Sequence, residues 1–194
     1  MQIPLFPLHT VLYPEGPLPL RIFEPRYLDM ISYCLREGTP FGVVQIRTGS
    51  ETGPALTFDT GTLAEVSDWY QGSDGILGIT ALGSERFLLQ SRERQSDGLL
   101  RGEAQVLPAA ESYPLPEEFM PLVQILDGVL DDLGRLYVDL PRRYDDAVWV
   151  GYRFAEILPF SAQQKQDCLE MSDPLQRLQL VRSVLRDARG VELV

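Results

Sequence analysis

Arg21, Glu24, Arg26 and Tyr27, within LYPEGPLPLRIFEPRY at residues 12–27, form the densest polar cluster in the chain. Two arginine forks beside an aromatic face can recognise carboxylates and anchor a polypeptide partner. The same residues can instead wire a strand to a helix. In that reading Glu24 sits at the positive helix N-terminus while Arg21 or Arg26 pairs with a carboxylate across the junction. The wiring reading is favoured because the start of a helix leaves N–H groups that need partners. A second candidate pair, Trp69 and Tyr70, consists of neighbours on an expected strand and so faces opposite sides. One exposed aromatic there would suit basic or apolar peptide segments; the alternative is packing at a barrel edge.

Catalytic constellations are missing. His9, the only histidine, lies in a Pro-flanked segment with no nucleophile motif around it. At Gly83-Ser84 the second glycine of a GxSxG elbow is replaced by Arg86. Asp127, Asp131, Asp132 and Asp139 could hold a hard cation, but their spacing is not that of an EF-hand and a solvated helix end explains them better. Cys34 and Cys168 fall on apolar helical faces and are expected as reduced core thiols. No catalytic residue, metal site or cofactor is expected.

Charge narrows the partners. The net charge is −11, and residues 51–160 carry the whole surplus, eight bases against nineteen acids. A phosphate-binding surface needs clustered Lys and Arg, so neither nucleic acid nor an anionic membrane is an expected partner. No apolar run reaches the roughly 20 residues of a spanning helix, and MQIPLFPLHT lacks the basic and apolar regions of a signal peptide. A cytoplasmic location is expected.

The elements that must position these residues are legible from period and punctuation. Six prolines in the first 25 residues exclude a helix there, so IPLF and PLPLRIF read as strands joined by the turn Tyr13-Pro14-Glu15-Gly16. Tyr27, Met30, Ile31, Cys34 and Leu35 then follow helical spacing, with Pro25 at the first helical position and Gly38 at the stop. FGVVQIR, GTLAEVSDWYQ, GILGITALG, ERFLLQSRERQ and LLRGEAQVL read as strands; turns are expected at Ser73-Asp74-Gly75, Gly83-Ser84 and Ser96-Asp97-Gly98. That much strand must hide its edges, which predicts a small barrel.

After AAESYPLPEE the signals are helical. A helix is expected from Pro116, and another opens at Asp145 or Asp146, carries Trp149 and Tyr152 on one face, and stops at Pro159. Ser161 with Gln164 predicts a capping box, and Asp173-Pro174 predicts a last helix closed by Gly190. The expected organisation is therefore a β-barrel over 1–108, a linker over 109–118 and a helical subdomain over 119–194.

Three blocks resemble a known family in its own order. IPLFPLHTVLYPEGPLPLRIFEPRY, GILGITALGSERFLL and LPFSAQQKQDCLEMSDPLQRL are similar to segments of the Lon protease N-terminal (substrate-recognition) domain. The resemblance implies an α+β fold, a PUA-like antiparallel β-barrel with one helix followed by a C-terminal helical bundle. It also implies a stand-alone bacterial member without the ATPase and peptidase domains. No GxxxxGK[ST] loop occurs in the 194 residues, and Lys165, the lysine that a Ser–Lys dyad would need, falls within the helical KQ block. The resemblance further implies a non-catalytic polypeptide-binding module linked to protein quality control, with unfolded or tagged polypeptide as its partner in a groove between barrel and bundle or on an exposed apolar patch. An adaptor docking a folded protein onto a protease machine, or a hydrolase with an unrecognised site, is the alternative.

Overall fold

A computed structural model describes residues 1–189, so the expected helix stop at Gly190 lies outside the described residues. The chain divides into two compact units, Met1–Ala109 and Ala110–Val194.

The first unit runs β1 (Gln2–Leu8), β2 (Pro17–Ile22), α1 (Pro25–Glu37), β3 (Phe41–Gly49), β4 (Ala55–Gln71), β5 (Leu77–Arg94) and β6 (Leu100–Val106). The sheet order is β2-β5-β4-β3-β1-β6, and β5 also pairs with β6, closing β5-β4-β3-β1-β6 into a ring. One pair, β1–β3, is parallel; the others are antiparallel. β5 is long enough to serve two ladders. Its first part, Leu77–Leu82, pairs with β2, and its second part, Phe87–Arg94, pairs with β6.

Two apolar cores explain why β1 does not alternate in polarity. Ile3 and Leu5 join Val44, Leu63, Phe87, Leu89, Leu100 and Ala104, drawn from all five ring strands, to fill the ring. Phe6 and Leu8 join the core that packs against Tyr27, Met30, Ile31 and Cys34 of α1. Both faces of β1 are therefore buried, which a half-buried strand pattern does not describe.

Local signals hold at most boundaries. Pro25 starts α1, and Gly38 ends it in the left-handed conformation at φ 64°. The Tyr13–Gly16 turn closes with the Gly16 N–H on the Tyr13 carbonyl, 3.0 Å, and Glu15 takes the positive φ of 58°. Leu35, expected on the buried face, is half exposed.

The expected turn at Gly83-Ser84 is not one: both residues lie inside β5. The Gly83 N–H donates to the Gly16 carbonyl, and the Gly83 carbonyl accepts from Glu15 N–H. A Cβ on Gly83 would sit 2.2 Å from the Tyr13 carbonyl oxygen. The glycine is there for close backbone approach, which in sequence looks the same as a turn.

The second unit contains a 3-10 turn at Glu117–Phe119, then α2 (Met120–Leu133), a further 3-10 turn at Gly134–Leu136, α3 (Ala147–Ile157), α4 (Ala162–Glu170) and α5 (Pro174–Arg189). α3 is buried along Ala147–Ala155, including Trp149 and Tyr152. The Asp146 carboxylate caps it by accepting from Val148 N–H at 2.9 Å, and Ser161 with Gln164 forms the capping box on α4. Residues of the expected 109–118 linker are tied into this unit. Leu115 N–H donates to the Asp145 carbonyl and Ala147 N–H to the Tyr113 carbonyl, both at 2.8 Å. Two buried arginines complete the packing. Arg177 reaches the Cys168 and Met171 carbonyls at 2.8 and 2.5 Å while lying over the Tyr152 ring, and Arg153 pairs with Glu156 at 3.1 Å.

Candidate polypeptide-binding surface

The first turn of α1 is a junction of three chain segments. Arg26 is its centre: the guanidinium pairs with Glu24 at 2.7 Å, donates to the Gly98 carbonyl at 2.9 Å, and donates to the Glu51 carbonyl at 3.2 Å. It also lies 4.7 Å from the centre of the Tyr27 ring. Tyr27 is buried, stacked on Phe6 with ring centres 4.1 Å apart, and burial raises its hydroxyl above the ordinary value. Arg26 and Tyr27 thus spend their recognition chemistry inside the protein. Glu24 lies at the N-cap of α1 without a side-chain cap bond, its carboxylate going to Arg26 instead.

Beside this junction opens a cleft of about 250 Å³, walled by Phe6, Leu8, Leu20 and Phe23, with Arg21, Glu24 and Tyr27 also lining it. Phe23 is the exposed apolar member, 60% accessible. Sequence reasoning passed over it because Leu18, Leu20 and Ile22 continue the inward alternation of β2. Phe23 falls one position past the strand end, where the alternation turns outward.

Arg21 and Tyr70, 49 positions apart in sequence, belong to one cross-strand row. Both are register partners of Gly78. The Tyr70 ring lies over that glycine, so that a Cβ on Gly78 would fall 2.3 Å from Cζ. Arg21 pairs with Asp74 in the β4–β5 turn. The Ile76 N–H and the arginine together hold the Asp74 carboxyl below its ordinary value. On the next row Trp69, Ile79 and Leu20 are partners. Trp69 and Tyr70 do face opposite sides, but both are exposed, at 63% and 52%. The pairing of β3 with β4 ends at Phe41 and Ala64, so among the described residues the far half of β4, which carries both aromatics, has β5 as its one strand neighbour.

The remaining candidates separate from this surface. His9 is exposed, and its backbone N–H donates to the Glu51 carboxylate at 2.8 Å. Asp127 and Asp131 both accept from Arg142 at 2.5 Å, and Tyr144 donates to Asp127, so an arginine stands where a cation would. Among the described residues no group of three or more His, Cys, Asp and Glu is placed to hold a metal. Lys165 donates to the Glu156 carbonyl at 3.0 Å, and burial lowers its pKa. Both cysteines are free, buried thiols. No helix among the described residues is long and apolar enough to cross a membrane.

Comparison with known proteins places the whole arrangement. A Lon N-terminal domain protein from Xanthomonas campestris, known from its crystal structure, is 34% identical with a TM-score of 0.77, over 94% of this chain and 98% of that one. The N-terminal domain of a Mycobacterium avium complex Lon protease has the same fold at 18% identity and a TM-score of 0.64, over 96% and 99% of the two chains. Lon protease of Haemophilus influenzae is 22% identical over 97% of this chain, and cereblon of Danio rerio is 27% identical over 55% of it. The chain spans about a quarter of the length of these two relatives, 24% and 26%. Residues 2–187 match the profile of the ATP-dependent protease La (LON) substrate-binding domain, and the chain belongs to that family.

Proposed function

We propose that this domain binds polypeptide segments without acting on them chemically, and that the cleft beside α1 receives an apolar side chain of the bound segment. The observation that carries the reading is the exposed Phe23 over an apolar-walled cleft, in a chain of a substrate-binding family. Leu20, Phe6 and Leu8 offer apolar surface, and the Arg21–Asp74 and Glu24–Arg26 ion pairs give the cleft a polar rim. Arg26 and Tyr27 position the cleft, while Trp69 and Tyr70 offer a second exposed aromatic surface on β4, apart from it. The bound class would be unfolded or tagged polypeptide, in the service of protein quality control.

The test is titration of the full chain with an unfolded protein and a panel of apolar peptides, followed by fluorescence anisotropy. Saturable binding that weakens in Phe23→Ser, with unchanged thermal stability, is expected. Absence of saturable binding across the panel overturns the reading.

A further inference from the structure

β4 continues past its last pairing with β3, at Ala64, for seven more residues, Glu65–Gln71, and those residues pair with β5 alone. Their other edge meets no strand among the described residues. The Trp69 N–H shows the consequence: it donates to the carboxylate of its neighbour Asp68, 2.8 Å away, rather than to a strand carbonyl. An edge of this kind is a template for a further strand.

Chemistry at the edge indicates what that strand would carry. Glu65 and Asp68 are exposed, and neither has an ion-pair partner among the described residues. A pocket of about 230 Å³ opens at the start of the edge, lined by Cys34, Leu35, Gly38, Thr39, Glu65 and Val66. Gly38 is the C-cap of α1, so the pocket lies at the negative end of that helix. Apolar walls beside a helix C-terminus and a carboxylate residue suit a lysine or arginine, whose methylene stem packs while its head stays polar. The base of the last turn of α1, Arg36, is taken by Glu37 at 2.8 Å. Farther along, Trp69 and Tyr70 flank the edge on its two faces, each open to contact.

We infer that the free edge of β4 at Glu65–Gln71 takes an extended polypeptide segment as an added strand, with a lysine or arginine of that segment seated in the pocket between α1 and Val66. This rests on the reading of the domain as a polypeptide binder and specifies a mode separate from the Phe23 cleft. Backbone pairing supplies affinity without regard to sequence, and the pocket and the acidic edge select a cationic segment.

Three nine-residue probes test it against the full chain: alternating Val–Lys, alternating Val–Glu, and the Val–Lys peptide N-methylated at alternate residues. The Val–Lys peptide is expected to bind and to slow amide exchange at Trp69 by about tenfold. Glu65→Gln is expected to weaken it about fivefold, as loss of one exposed charge pair does, and N-methylation is expected to abolish it. Equal binding of the Val–Glu or the N-methylated peptide overturns the inference, as does protection that maps to Phe23 instead of β4. An unfolded protein that binds when none of the three peptides does overturns the edge mode alone. Failure of both overturns polypeptide binding altogether.

Discussion

Arg26 donates to the carbonyl of Gly98, 2.9 Å away in space and seventy-two positions away in sequence. The bond fastens the first turn of α1 to the β5–β6 turn, and the Glu51 carbonyl draws the β3–β4 turn onto the same guanidinium. The Arg26 side chain is only 10% exposed, so these partners cannot be replaced by water without rearrangement.

Arg26→Ala should therefore cost about 2–3 kcal/mol, the loss of two backbone tethers plus the exposure of Glu24 without its partner. Arg26→Lys should recover only part of it, because a single ammonium cannot span the fork's three acceptors. Urea denaturation monitored by circular dichroism measures both. A change within about 0.5 kcal/mol, the level of an ordinary surface substitution, would show that the junction is held by apolar packing alone.

Gly83→Ala tests the close approach of β5 to the Tyr13–Gly16 turn. The new methyl would stand 2.2 Å from the Tyr13 carbonyl oxygen, a backbone atom that cannot swing aside as a flexible side chain can. A loss of about 2–3 kcal/mol is expected, in the range of overpacked cores. Gly75→Ala is not an equivalent control, since Gly75 holds a positive φ of 80°. Gly128→Ala is the better one. Its Cβ meets nothing within 4 Å, and helix propensity should make the change stabilising by about 0.5–1 kcal/mol.

Burial pushes the Cys168 thiol up to about 11 from its usual 9.0, and it raises Cys34 as well. A thiol pKa raised on folding means that the folded state holds its proton longer than the unfolded one. The resulting stability is complete below about pH 9 and is lost as pH climbs through about 11. Wild type should thus lose stability between these values more steeply than Cys168→Ala, measured by urea midpoints across the range. Neither thiol should react with Ellman's reagent at pH 8 until the chain is unfolded.

Phe23 and Trp69 separate the two binding modes. Phe23→Ser should weaken an apolar peptide about tenfold, the scale of a single aromatic anchor, and leave the Val–Lys peptide unaffected. Trp69→Ala should do the converse. Both side chains are more than half exposed, so neither change should move the melting temperature appreciably. Equal effects of both variants on both peptides would mean one continuous site.

Much of the domain was written into the sequence because its signals act over a few residues. Pro25 and Gly38 bound α1, Ser161 and Gln164 cap α4, and Asp146 caps α3 through the Val148 N–H. Each is a local steric or hydrogen-bonding requirement that its own residues satisfy. The motif-bearing segment at residues 3–27 likewise identified the family, since its prolines and the turn they set fix the strand–turn–strand–helix path.

Long-range pairing was not legible. Gly83 looked like a turn because nothing local distinguishes a glycine needed for a bend from one needed beneath a passing carbonyl. Arg21 and Tyr70 align on either side of Gly78 only because β5 lies between β2 and β4, and Trp69 falls on a stretch of β4 that β3 does not pair with. Periodicity says which faces of a strand are apolar, but register and strand order decide what covers them. Those are set by packing the whole ring at once, so the local elements belong to the sequence and the binding surface to the tertiary structure.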